Sequence, residues 1–165
     1  MDFLLVDSFS RFSAFYGLPH ITTEDVISII LQYGADHWVA DNYSYLDIEC
    51  IRADAGSEFT AGAFREFCRD NKINLSLAPP NHQDNNYFAE RSWQTIHRMA
   101  RSMMVHARLP DKYHFHAIHY ATAIFNILPV QGLNNPEGEP CTPYELFCNK
   151  KPTIGHFRVR GVPAG

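Results

Sequence analysis

Apolar and polar positions along the chain change period several times, and each change marks an element. Two β-rich runs, residues 3–7 and 12–18, flank the polar Ser8-Phe9-Ser10-Arg11 and predict a hairpin stopped by Pro19. From Thr22 the period becomes helical. Thr22 or Thr23 can cap, Glu24 and Asp25 favour a first turn, and Val26, Ile29, Ile30 and Tyr33 recur on one face, predicting a helix over 23–33 that closes at Gly34. After a polar, irregular stretch over 35–46, residues 48–53 read as a short strand that delivers Asp54 into Ala55-Gly56.

Ala63, Phe64, Phe67 and Cys68 predict a short amphipathic helix over 61–71, and 73–77 a further strand, before a polar loop at Pro79-Pro80 and "NHQDNN". The longest helical pattern steps through Ala89, Trp93, Ile96, Ala100, Met103 and Ala107 until Leu109-Pro110 ends it. A last helix is expected over 111–127. Pro129, Gly132, Pro136, Gly138, Pro140 and Pro143 then mark an extended loop, so that 1–128 form the core and 129–165 a Pro/Gly-rich extension. No repeat or low-complexity tract interrupts this order.

Composition narrows the class. With 165 residues, 45% hydrophobic and 13% aromatic, the chain suits one globular domain with a single core. No apolar run approaches the roughly 18–20 residues that cross a bilayer, and the N-terminus lacks a signal-peptide pattern, so a soluble, intracellular protein without membrane partners is expected. Cys50, Cys68, Cys141 and Cys148 form no CxxC pair, which points to buried free thiols and excludes a zinc knuckle.

The net charge of −4 conceals an asymmetry: residues 1–60 carry ten acids and two bases, residues 61–165 twelve bases and eight acids. A polyanion would meet the C-terminal part. There, Gln94, His97 and Arg101 line a stripe beside Glu90, and with Arg91, Arg98 and Lys112 they are the candidate phosphate contacts, Gln83 and Asn86 adding polar contacts from the loop. A solvated helix face is the plain alternative.

Candidate chemistry centres on two carboxylates. Asp54 ends a strand, Glu90 begins the long helix, and 35 residues lie between them. Carboxylates so placed suit a two-metal phosphoryl-transfer site, where hard divalent cations take oxygen ligands; turn chemistry at Asp54 and dipole complementation at Glu90 are the structural alternatives. His114, His116 and His119 invite a metal reading, but no cysteine or acid stands at ligand spacing, so ordinary helix residues are expected. Trp93, Phe115 and Tyr120 read as core aromatics, and no Ser-His-Asp or Cys-His signature is present.

The stretches "IRADAGSEF", "HQDNNYFAERSWQTIHRMARSMMVHARLP", "TPYELF" with "NKKP", and "HFRVRGVPA" resemble the integrase core of copia-type LTR retrotransposons over nearly the whole chain. That resemblance implies an α/β, RNase H-like mixed sheet flanked by helices. It also implies Mg²⁺ (or Mn²⁺) dependence, 3′-end processing of element DNA with strand transfer into target DNA, homo-oligomers, and work in the nucleus. Matched residue by residue, Asp54 and Glu90 are two members of the family's Asp, Asp, Glu triad. Ala55 replaces the family's Asn, Tyr87 replaces a loop Gly, and Arg160 and Val162 interrupt a Phe-Gly-Cys-Pro.

The stretch "FLLVDSFSRFSAFYGL" matches the family's second and third strands, which makes Asp7 a turn residue and implies a first, central strand before Phe3. Met1 leaves no room for that strand, so the expectation is an N-terminally incomplete core with two of three ligands, inactive by itself. A decayed or domesticated domain that binds nucleic acid or protein without catalysis is the alternative.

Overall fold

In a computed structural model, residues 1–38, 48–78 and 87–155 are described. They contain four strands and six α-helices: β1 (Asp2–Val6), β2 (Ser13–Gly17), α1 (Thr23–Trp38), β3 (Cys50–Asp54), α2 (Ser57–Thr60), α3 (Gly62–Asp70), β4 (Asn74–Ala78), α4 (Tyr87–His106), α5 (His114–Ile127) and α6 (Pro143–Cys148). The strands form two two-stranded sheets, β1 antiparallel to β2 and β3 parallel to β4, so both pairing senses occur. Two compact units result: Met1 with residues 18–87, and residues 2–17 with those from 88 onward. No helix among the described residues is long and apolar enough to cross a membrane.

The first unit is a parallel strand pair with three helices. Thr22 and Asp25 cap α1 reciprocally: the Asp25 N–H donates to the Thr22 hydroxyl at 3.2 Å, and the Thr22 N–H to the Asp25 carboxylate at 3.0 Å. The hydroxyl and backbone of Thr22 hold the Asp25 carboxyl below its usual value. Val26, Ile29, Ile30 and Tyr33 are buried on the inner face, and α1 packs on α3, whose Phe64 and Cys68 are also buried.

Contrary to the sequence expectation, α1 does not close at Gly34 but runs to Trp38. A glycine stops a helix when it takes positive φ, and Gly34 does not; inside a helix it costs only about 1 kcal/mol. By contrast α3 does end on a left-handed residue, Lys72, with the Ile73 N–H returning to the Cys68 carbonyl at 2.8 Å. That turn feeds β4.

The second unit is built on α4 and α5. Phe15, Ile96, Ala100, Ala117, Ile118, Ala121 and Phe125 form its core. The Asp7 N–H donates to the Phe12 carbonyl at 2.9 Å, so Ser13, the next residue, turns its own N–H and C=O to the far edge of β2. Asn126 of α5 takes both: its Oδ1 accepts from the Ser13 N–H at 2.9 Å and its Nδ2 donates to the Ser13 carbonyl at 2.8 Å. At the other end of β2, Gly17 leaves room for Phe115, whose Cδ1 would stand 2.8 Å from a Cβ there.

The extension after residue 128 is not wholly a loop, because α6 forms at "TPYELF". Thr142 accepts from the Glu145 N–H at 3.1 Å, the Glu145 carboxylate accepts from the Thr142 N–H at 2.8 Å, and Pro143 supplies the first turn. Phe147 then stacks on Phe12 with centroids 4.3 Å apart, tying α6 to the hairpin. Two further corrections concern exposure. Cys50 and Phe115 are exposed rather than buried, because Phe115 lies over the rim of β2 and Cys50 opens β3. Trp93 packs on the core's edge as expected.

Replacing Asn126 with Ala strands a buried N–H and a buried C=O on Ser13, and should cost about 2–4 kcal/mol in urea unfolding at unchanged m-value.

Candidate functional site

Asp54 is the last residue of β3, paired in register with Ala78 of β4. Alternation along the strand buries Ala53 and leaves Asp54 exposed. Both strands point the same way, so Asp54 sits at the carboxyl end of a parallel pair, the end where α/β sheets present ligand-binding residues. Ala55 and Gly56 follow at once, and α2 starts at Ser57. Among the described residues no hydrogen bond or ion pair engages the Asp54 carboxylate.

Glu90 lies in the first turn of α4, where the helix N-terminus favours a negative charge. At about 100° per residue, Glu90, Arg91, Gln94, Arg98 and Arg101 fall within one arc of roughly 100°, opposite the buried Ser92, Ile96 and Ala100. All five are exposed. Asp54 belongs to the first unit and Glu90 to the second. Tyr87, where the family has a Gly, is the first residue of α4 and needs no positive φ.

His97 falls on the border between the two faces and turns inward. Its Nε2 is buried without a hydrogen bond and lies 3.5 Å from Asp2 Oδ2. His114 Nε2 is also 3.5 Å from that oxygen, both distances too long for a hydrogen bond. Burial pushes the His97 imidazole below its ordinary value, Asp2 opposing and His114 adding to the shift. His116 and His119 are exposed, as ordinary helix residues would be. His114 is not, and the acid missing from its own helix is supplied by β1. Lys112, in a 3-10 turn over Asp111–Tyr113, holds its ammonium 5.2 Å from the Tyr113 ring centre. Gln83, Asn86 and "HFRVRGVPA" lie outside the described residues.

Asp7 serves the hairpin turn. Its Oδ2 accepts from the Ser10 N–H at 2.7 Å and the Ser10 hydroxyl at 2.6 Å, and its carbonyl accepts from the Arg11 N–H at 2.9 Å. Ser10 is buried and its hydroxyl oxygen also accepts from the Phe12 N–H at 3.1 Å. Arg11, held at positive φ, donates to the Ser8 carbonyl and lies over the Phe88 ring, 3.1 Å from its centre. Burial pushes the thiols of Cys68, Cys141 and Cys148 up, which disfavours their thiolate forms.

A parallel strand pair with three helices and an antiparallel hairpin packed on further helices make a mixed α/β fold. The chain is 26% identical over 143 residues, 87% of its length, to the retrovirus-related Pol polyprotein from transposon TNT 1-94 of Nicotiana tabacum. It spans about 10% of that polyprotein. Among solved structures, the HTLV-2 integrase catalytic core in complex with magnesium, in its trimeric form, matches with a TM-score of 0.62 and 23% identity, covering 87% of this chain and 82% of that one. A chain of the simian T-cell lymphotropic virus intasome in complex with PP2A regulatory subunit B56 gamma matches with a TM-score of 0.67 and 17% identity, covering 99% of this chain and 58% of that one. No protein-family model matches. The fold is that of an integrase catalytic core.

Replacing Asp7 with Ala should lower stability by about 1–3 kcal/mol in urea unfolding, through loss of the acceptor for Ser10.

Proposed function

We propose that this chain is the core of a copia-type retrotransposon integrase, working on element ends and target DNA by Mg²⁺-dependent 3′-end processing and strand transfer in the nucleus. The carrying observation is Asp54 at the carboxyl end of a parallel pair, with 35 residues between it and Glu90 in the first turn of a long helix, within an integrase-core fold. Both carboxylates are exposed and offer hard oxygen donors, the set that Mg²⁺ takes. The ion would supply charge neutralisation at the attacking and leaving oxygens. The HTLV-2 core, described with magnesium and in a trimeric form, supports the cation and a homo-oligomer by likeness.

The chain's own residues bind and orient DNA in this reading. Arg91, Arg98 and Arg101 share an exposed arc with Glu90, so phosphates drawn to the guanidinium groups lie along the face that carries the carboxylate. Gln94 adds an uncharged donor between them, and Lys112 a further charge. His97 contributes no Nε2 to this face. Within these residues only two triad carboxylates are matched, so the isolated chain is expected to bind DNA without strand transfer. Ala55 and Tyr87, standing where the family has Asn and Gly, favour a non-catalytic nucleic-acid-binding domain as the second reading.

Replacing Arg98 and Arg101 together with Ala should weaken binding of a duplex oligonucleotide. The slope of log K against log salt should flatten by about 2, near 0.9 per lost phosphate contact. Fluorescence anisotropy across a salt series measures it, and an unchanged slope rejects the assigned face.

A further inference from the structure

We infer that Asp2, His97 and His114 form a binding site for a borderline divalent transition-metal ion such as Zn²⁺, separate from the carboxylates at Asp54 and Glu90. The three side chains come from the start of β1, the middle of α4 and the first residue of α5, all within the second unit. Asp2 Oδ2, His97 Nε2 and His114 Nε2 lie within 4.8 Å of one another. Each imidazole nitrogen stands 3.5 Å from the carboxylate oxygen. That spacing is too long for a hydrogen bond but close to the edge of a tetrahedron around zinc, roughly 3.4 Å for metal–ligand distances of about 2.1 Å.

The surroundings fit a ligand set. The His97 Nε2 is buried without a hydrogen-bond partner, a state that costs free energy unless something else accepts its lone pair or its proton. Asp2 is anchored by strand pairing with Gly17, and its side chain is only 17% exposed. Trp93 lies against the His97 ring, centroids 4.1 Å apart and planes tilted by 53°, and Phe115 meets the half-exposed His114 ring edge-on at 5.9 Å, so each imidazole has an aromatic neighbour. Two nitrogens and one carboxylate select a borderline ion over Mg²⁺, which prefers an all-oxygen shell. Three protein ligands leave a fourth position for water or an added group. Bound there, the ion straps the first residue of the hairpin to α4 and α5.

The test is titration of the full 165-residue chain with Zn²⁺, followed by calorimetry and by long-range ¹H–¹⁵N spectra of the imidazoles. One Zn²⁺ per chain is expected, with the Nε2 signals of His97 and His114 displaced and those of His116 and His119 unmoved. His97→Gln, His114→Gln and Asp2→Asn should each weaken binding by more than about tenfold, the loss that follows even from disturbing an outer partner of a metal histidine. His116→Gln, His119→Gln and the double variant D54N/E90Q should retain it. The imidazole spectra need no variant, so a misfolded substitution leaves the test intact. Zn²⁺ binding that persists undiminished in folded His97→Gln and His114→Gln, or wild-type spectra in which neither Nε2 moves at saturating Zn²⁺, would mean an electrostatic triad only and overturn the site.

Discussion

The second unit depends on one side-chain amide. A strand edge exposes alternate backbone groups, and at Ser13 the edge of β2 is buried, where an unpaired N–H or C=O costs most. Asn126 answers both with donor and acceptor at strand-like distances of 2.8 and 2.9 Å, so α5 caps the sheet as a further strand would. With β2 fixed to α5, Phe15 enters the core beside Ile118 and Phe125, Gly17 comes under Phe115, and Phe12 is presented to Phe147 of α6. The same docking carries Asp2, paired with Gly17, to the two imidazoles. Asn126 stands in "AIFNIL", one turn after Thr122 on the buried face of α5, and a polar residue on an otherwise apolar helical face is the signal the sequence carries.

Elements governed by local rules were legible. The hairpin, the β3–β4 strands, the amphipathic α3 and the inner stripe of α4 all follow from periodicity, and their observed bounds differ from expectation by a residue or two. The end of α1 departs from the sequence pattern because Gly34 lacks the left-handed φ that lets a glycine stop a helix. Lys72 and Arg108 do end helices in that conformation, although neither is glycine. The helix α6 was hidden among prolines and glycines, yet Thr142-Pro143-Tyr144-Glu145 spells both its capping box and its first-turn proline.

The two kinds of candidate site differ in how the sequence encodes them. Asp54 and Glu90 are visible because each sits at a local landmark, a strand end and a helix start, and because their neighbours resemble a known family. Asp7 looked equivalent in composition, but its carboxylate is spent on Ser10 and the turn. Asp2, His97 and His114 could not be found from spacing, since three elements distant in sequence supply one ligand each. Only the position of His97, on the seam between the buried and polar arcs of α4, hinted that it would not join the arginines.

In the proposed function the chemistry belongs to Asp54 and Glu90, while the Asp7 carboxylate serves the hairpin turn. The most direct measurement is a Mg²⁺ titration of the chain followed by backbone amide spectra. Shifts that grow with Mg²⁺ at and beside Asp54 and Glu90, with the Asp7–Ser10 amides unmoved, are the predicted result. Shifts centred on Asp7, with both other carboxylates silent, would contradict it.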